Sequence, residues 1–249
     1  MQAALGVMYY NGQGVRRDYA EALRWFSLAA EQGNGDAQGY LGTMYYNGEG
    51  TAQNYKEAVR WYRLAAEQGN ADAQGLLGLM YENGRGVEQD YKEAVRWYRL
   101  AAEQGNADAQ SYLGMMYKAG RGVAQDYKEA VRWYRLAAGQ GNPAAQFRLG
   151  AMYEYGRGVA QDYKEAVHWY KLAAEQGESD AQNNLGVKYD EGHGVPQDYI
   201  QAHMWFNLAG AAGSPTGAEN RDRIARKMTP QQIAEAQRLA REWSSRKTQ

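Results

Sequence analysis

Apolar residues recur along this chain in two kinds of helical stripe, each closed by a glycine-rich break. Leu41 and Tyr45, with Met44 between them, keep one face of a helix. Ala58, Trp61 and Ala65, with Tyr62 and Leu64 beside them, keep another. Both stripes have the 3.6-residue period of an amphipathic helix. Gly48 and Gly50 follow the first stripe, and Gln68-Gly69 ends the second. Glycine suits the left-handed C-caps and turns that stop helices. The spacing predicts a helix A over about 35–47. Pro143 and Pro215 stand at equivalent places in its first turn, so Asn142 and Ser214 become N-caps. A helix B is predicted after Asp90, where Glu93 completes a capping-box pattern that returns at Asp126/Glu129 and Asp162/Glu165.

The stripes belong to a repeat. Leu-Gly occurs at Leu5, Leu41, Leu77, Leu113, Leu149 and Leu185, always 36 residues apart. Trp25, Trp61, Trp97, Trp133, Trp169 and Trp205 keep the same step. Residues 37–72 and 73–108 are identical at 29 of 36 positions. Six units are read: 1–36, 37–72, 73–108, 109–144, 145–180 and 181–216. With Ala37 as position 1, positions 2, 5, 6, 9, 12, 14, 19, 22, 25, 28, 29 and 33 are the same in all six. Gly42, inside helix A, costs about 1 kcal/mol relative to alanine. Its recurrence predicts a close approach by the neighbouring helix. The fold class is therefore all-α, a solenoid of stacked helix pairs.

Composition now has an explanation. The 249 residues include 30 Gly, 21 Tyr and 7 Trp against 3 Phe and 4 Pro. Twenty-four glycines sit at positions 6, 12, 14 and 33, and six tryptophans at position 25. With no cysteine, disulfides, thiolate zinc sites and a cysteine nucleophile are excluded. A net charge of −1 argues against a general polyanion binder. No apolar run reaches the ~18 residues that a membrane span needs.

The unit A-Q-x-x-L-G-x-M-Y-x-x-G-x-G-V-x-Q-D-Y-x-E-A-x-x-W-Y-x-L-A-A-E-Q-G-N resembles the Sel-one-like repeat, a relative of the tetratricopeptide repeat, over residues 1–216. Leu41, Gly42 and Tyr45 match the Leu-Gly-x-x-Tyr signature of tetratricopeptide helix A. The resemblance implies a right-handed superhelix with helix A on the concave side. It also implies a protein-binding adaptor or scaffold role, widespread in bacteria. The disulfide clamps of some bacterial relatives do not carry over.

At the ends, residues 217–249 read as a degenerate capping helix pair. Arg221-Asp222 replaces Leu-Gly, and Thr229-Pro230-Gln231-Gln232 starts a last helix with Ile233, Ala236, Ala240 and Trp243 on one stripe. Met1 falls inside a helix A with no cap before it. That predicts either a natural chain extending further or a weak dimer through this end, the alternative being a monomer. The compartment is left open: cytoplasmic, or periplasmic or secreted if a leader was removed.

Catalytic and metal chemistry find little support. His168, His193 and His203 lack metal-ligand spacing and read as exposed or locally bonded. The Gly-x-Gly turns follow helices and lack the lysine of a phosphate loop. Glu154 and Asp190 form no evident acid–base pair. The reading is no enzyme and no cofactor.

Two surfaces remain. Helix B carries a basic row: Lys56, Arg60, Arg63; Lys92, Arg96, Arg99; Lys128, Arg132, Arg135; Lys164, His168, Lys171. It reads as a solvated face with local ion pairs, or, as the alternative function, a nucleic-acid or anionic-surface binder. The positions that vary among units are 3, 4, 7, 10, 11, 13 and 16. Most lie on one side of helix A, matching the ligand-contacting positions of tetratricopeptide relatives. The candidate partner-binding residues are Tyr40, Tyr46, Asn47, Glu82, Asn83, Tyr112, Met115, Lys118, Phe147, Arg148, Glu154, Tyr155, Asn184 and Asp190. Tyr, Met and Arg are enriched at interface cores. The expected function is a non-enzymatic scaffold holding a protein or extended peptide. Tyr112→Ala with Phe147→Ala is expected to abolish capture at unchanged melting temperature. An enzyme or small-molecule binder at the C-terminal cap is the least favoured reading.

Overall fold

The computed structural model describes residues 1–247. Among these the chain forms fourteen helices and no strand. It packs as two compact units, Met1–Gln125 and Asp126–Gln249. The first unit holds the A helices α1 (Gln2–Asn11), α3 (Gly35–Asn47), α5 (Ala71–Asn83) and α7 (Ala107–Ala119). Its B helices are α2 (Tyr19–Glu31), α4 (Tyr55–Glu67) and α6 (Tyr91–Glu103). The second unit holds B helices α8 (Tyr127–Gly139), α10 (Tyr163–Gln176) and α12 (Tyr199–Ala211), and A helices α9 (Pro143–Tyr155) and α11 (Ser179–Glu191). It closes with α13 (Pro215–Ala225) and α14 (Pro230–Lys247). Within each unit, consecutive helices up to α13 pack together, and α14 lies against α12.

The predicted boundaries hold. Asn34, Asn70, Asn106 and Asn142 cap their A helices by accepting the backbone N–H of the residue three along. In the sixth repeat Glu178 stands there and makes no such bond. Gly48 takes the left-handed C-cap at φ 76°. Gly50, at φ 70°, passes so near the preceding repeat that a Cβ would lie 2.3 Å from the Tyr19 carbonyl oxygen.

The capping box is only half made on the B helices. Asp90 accepts from the N–H groups of Lys92 and Glu93 at 2.8 and 3.1 Å. Glu93 does not reach back, because the Asp90 N–H already donates to the Tyr81 carbonyl at 3.0 Å. Its carboxylate pairs with Arg96 instead. Thr229 and Gln232 do form the reciprocal box, at 2.8 and 3.2 Å.

The reason for the helix-A glycine is an aromatic ring rather than a helix backbone. A Cβ on Gly42 would sit 2.5 Å from Cδ1 of Tyr62, and one on Gly78 would sit 2.7 Å from the same atom of Tyr98. These rings at position 26 are among the largest fully buried side chains. Successive repeats are latched by buried glutamines. Gln38 donates to the Ala30 carbonyl of the preceding repeat at 3.1 Å, and Gln68 of its own repeat donates to Gln38 at 2.7 Å. The pattern returns one repeat later, where Gln74 donates to the Ala66 carbonyl at 3.0 Å and Gln104 to Gln74 at 2.7 Å. Gln38 and Gln74 are thereby satisfied on both ends.

Candidate functional site

The variable positions of the A helices carry different chemistry in the two units. In the first unit they include four tyrosines. Tyr40 stacks face to face on Phe26, with centroids 4.7 Å apart at 4°, and still exposes 36% of its surface. Tyr10 meets the Tyr40 ring edge-on at 5.8 Å and donates its hydroxyl to Glu49 at 2.8 Å. Burial, helped by Glu49, pushes that hydroxyl's pKa up. Tyr46 leans on Tyr55 and accepts a hydrogen bond from Arg85. Tyr112 stacks on Tyr98 at 5.2 Å. Asn47 and Asn83 are exposed, and Asn83 donates to the Leu79 carbonyl of its own helix at 2.9 Å. Met115 and Lys118 are half-buried.

In the second unit position 10 holds ion-paired carboxylates. The Glu154 carboxylate accepts from the Tyr170 hydroxyl at 2.5 Å and from Lys188 Nζ at 2.6 Å. Lys188 occupies the place of Met8, Met44, Met80, Met116 and Met152, and is 3% exposed. Burial pulls its pKa down. Its hydrogen bond to Glu154 and the charges of Glu154 and Glu191 outweigh that and raise it overall. Asp190 accepts from Arg223 at 2.8 Å and Lys227 at 3.2 Å, both from the C-terminal segment. Phe147 tilts against Tyr170 at 5.8 Å. Arg148 and Asn184 are half-buried, whereas Tyr155 is 62% exposed beneath Arg157.

Three candidates therefore do not present themselves to a partner as expected. Glu82, Glu154 and Asp190 are 8%, 9% and 6% exposed. Position 10 points inward here, and a buried carboxylate persists only where donors meet it. Glu82 has the Tyr98 hydroxyl at 2.7 Å. Tyr112 and Phe147 are also part of the packing, so truncating both lowers the melting temperature rather than leaving it unchanged. His203, expected at the surface or locally bonded, is 2% exposed, and its Nδ1 has no partner among the described residues. Burial, with the Arg221 charge, lowers its pKa. His193 is exposed, stacks on Tyr163 and lies 3.0 Å from Glu191.

The basic row of helix B is largely spoken for. Arg60, Arg96 and Arg132 pair with the glutamates three residues earlier at 3.1, 3.1 and 3.3 Å. They also lie over the rings of Trp61, Trp97 and Trp133. Arg63, Arg99 and Arg135 donate to the hydroxyls of Tyr81, Tyr117 and Tyr153 in the following repeat. These bonds were not foreseen from the sequence, although Arg at position 27 and Tyr at position 9 both recur. Beside the row, Leu64, Leu100 and Leu136 are exposed, as is Leu28 on α2. Among the described residues no group of His, Asp and Glu has the form of a metal site, and no helix is long and apolar enough to cross a membrane.

The Sel1 repeat model matches the chain six times, at residues 1–34, 35–70, 71–106, 107–142, 143–178 and 179–214. This chain belongs to the Sel1 repeat family. The Sel1 units begin two residues before those read from Ala37, where the A helices themselves start. A Sel1 repeat protein from Oxalobacter formigenes is similar in structure, with TM-score 0.79 and 39% identity over 85% of this chain and 86% of that one. A structure from Klebsiella pneumoniae subsp. pneumoniae, assigned to the sel1 repeats, has TM-score 0.53 and 26% identity over 80% and 97% of the two chains. An immunity protein from Pseudomonas aeruginosa shares the fold at TM-score 0.57 and 21% identity, over 85% and 83%. No curated protein matches the chain in sequence. Sel1 repeat proteins are in general protein-interaction scaffolds.

Proposed function

We propose that this Sel1 repeat protein is a non-enzymatic scaffold that holds a peptide or partner protein on the variable face of its A helices. The observation that carries this is where the repeat's non-scaffold aromatic residues lie. Tyr10, Tyr40, Tyr46, Tyr112, Phe147 and Tyr155 all fall on A helices, and Tyr40 and Tyr155 stand exposed. Rigid aromatic anchors supply contact area at little entropic cost. Tyr10, Tyr112 and Phe147 pack on the ring at position 26 and Tyr46 on Tyr55, which pre-organises the face. Replacing Tyr40 and Tyr155 by alanine tests the reading. Both rings are exposed, so folding is retained while partner affinity falls at least tenfold. Undiminished affinity refutes it.

A second reading is favoured by one observation, the exposed leucines Leu64, Leu100 and Leu136 beside the basic rows of α4, α6 and α8. Such a face suits an anionic surface. Co-sedimentation with phosphatidylserine vesicles at low salt tests it, and no binding removes it.

A further inference from the structure

In the first unit the A-helix face opens into a groove of about 560 Å³, within the usual range for ligand sites. Val7, Gly39, Tyr40 and Leu76 give it apolar walls, and Asp36 and Asp72 stand at its rim. Gly39 stands out, although Gly75 holds the same place in α5. It lies inside α3, where glycine weakens a helix. Nothing in the fold asks for it: a Cβ there would meet no atom within 4 Å, and its φ is not positive. Contrast Gly42 on the same helix, pressed against Tyr62. At the place of Gly39, α1 carries Ala3, α5 Gly75, and α7, α9 and α11 carry Ser111, Phe147 and Asn183. The missing side chain leaves room beside the Tyr40 ring.

The charge around that room has one sign. Helices α1, α3 and α5 contain no lysine or arginine. Their carboxylates are Asp36, Asp72 and Glu82, the last buried on Tyr98. Asn70 donates to Oδ1 of Asp36 at 3.2 Å, and Asn106 to Oδ1 of Asp72 at 2.8 Å. These bonds orient both carboxylates, and neither Oδ2 receives a hydrogen bond among the described residues. An apolar slot with an exposed aromatic wall and two oriented carboxylates complements a long cationic side chain. The stem packs on the walls, and the head reaches the acids and the ring face.

Resting on the reading of the A-helix face as the binding surface, we infer that this groove takes an arginine side chain from an extended, apolar-flanked segment of a partner protein. Arginine fits better than lysine, because its planar head both stacks on tyrosine and bonds carboxylates in pairs.

The test is an amide-shift titration of the whole chain with acetyl-Leu-Arg-Leu-amide. Expected are saturable shifts at Gly39, Tyr40 and Asp72, with at least tenfold weaker binding when citrulline replaces arginine. Gly39→Leu, which fills the slot, should abolish the shifts with Tm at or above the parent's. Asp36→Asn with Asp72→Asn should weaken binding at least tenfold. Equal shifts from the citrulline peptide or acetyl-Leu-Glu-Leu-amide overturn the arginine site and leave the A-face reading standing. So do shifts confined to other A helices. Shifts confined to B helices, or none at all, overturn both.

Discussion

The two units build A helices on one template and fill several of the same positions with different chemistry. In the first, position 8 is Met44 or Met80 and position 10 begins as Tyr10 and Tyr46. In the second, position 8 ends as Lys188, and position 10 is Glu154 and Asp190. A repeat scaffold tolerates this because each buried charge finds its counter-charge nearby: Glu154 for Lys188, and Arg223 with Lys227 for Asp190. The first unit's variable face carries four tyrosines and no cation on α1, α3 or α5, Lys118 of α7 being its one exception; the second spends much of its polar variation internally. Variation between repeats therefore marks two different things, a surface offered outward and a core rewired inward.

The largest effect should come from breaking the second unit's pair. Glu154→Ala leaves Lys188 charged in the interior and should cost about 3–5 kcal/mol by denaturant unfolding. Lys188→Met should cost less, because it recreates the arrangement of Glu82 with the Tyr98 hydroxyl. The pair also has a pH signature. The Lys188 pKa is raised in the fold. The pair's stabilisation is therefore full below the unfolded-state value near 10.4 and is lost as pH rises through the folded value. Near-equal alkaline stability of the parent and Lys188→Met would contradict this.

Next come the two glycines of α3. Gly42→Ala drives a methyl into the Tyr62 ring and should destabilise by about 1–3 kcal/mol. Gly39→Ala meets open space and should stabilise by about 1 kcal/mol. Thermal melts of the two variants in parallel separate a packing glycine from one kept for another reason. A similar gain of about 1 kcal/mol is expected of Glu178→Asn, which restores the cap present in the earlier repeats.

His203 gives a subtler contrast, since valine occupies its position in the second to fifth repeats. Its pKa is lowered by burial, so the unfolded chain binds the proton more readily. Stability is full above the unfolded value near 6.5 and falls as pH drops toward the folded value. His203→Val should flatten Tm between pH 7.5 and 5, and an unchanged slope would refute the assignment. The smallest effect belongs to Arg60→Ala, whose exposed pair with Glu57 should be worth under about 1 kcal/mol.

Helix boundaries, caps and the aromatic packing set were legible in the sequence because each rests on local spacing that six copies repeat. What escaped was long-range pairing. Glu154 and Lys188 lie 34 residues apart, and no local period relates them. The one available hint was a lysine breaking a run of methionines at position 8. The inward turn of Glu82, Glu154 and Asp190 escaped for the same cause: variable polar residues read as surface until their donors are placed. Asp36 and Asp72 were hidden differently, as ordinary acids in the first turn of a helix, where they suit the dipole.

The central claim is that partners engage the A helices. Its most direct test is site-specific photo-crosslinking in lysate of the source organism, with benzoylphenylalanine in place of Tyr40 or Tyr155 on A helices and of Leu64 or Leu136 on B helices. The account predicts discrete crosslinked products from the A-helix positions and none from the B-helix positions. Products from the B-helix positions alone would contradict it.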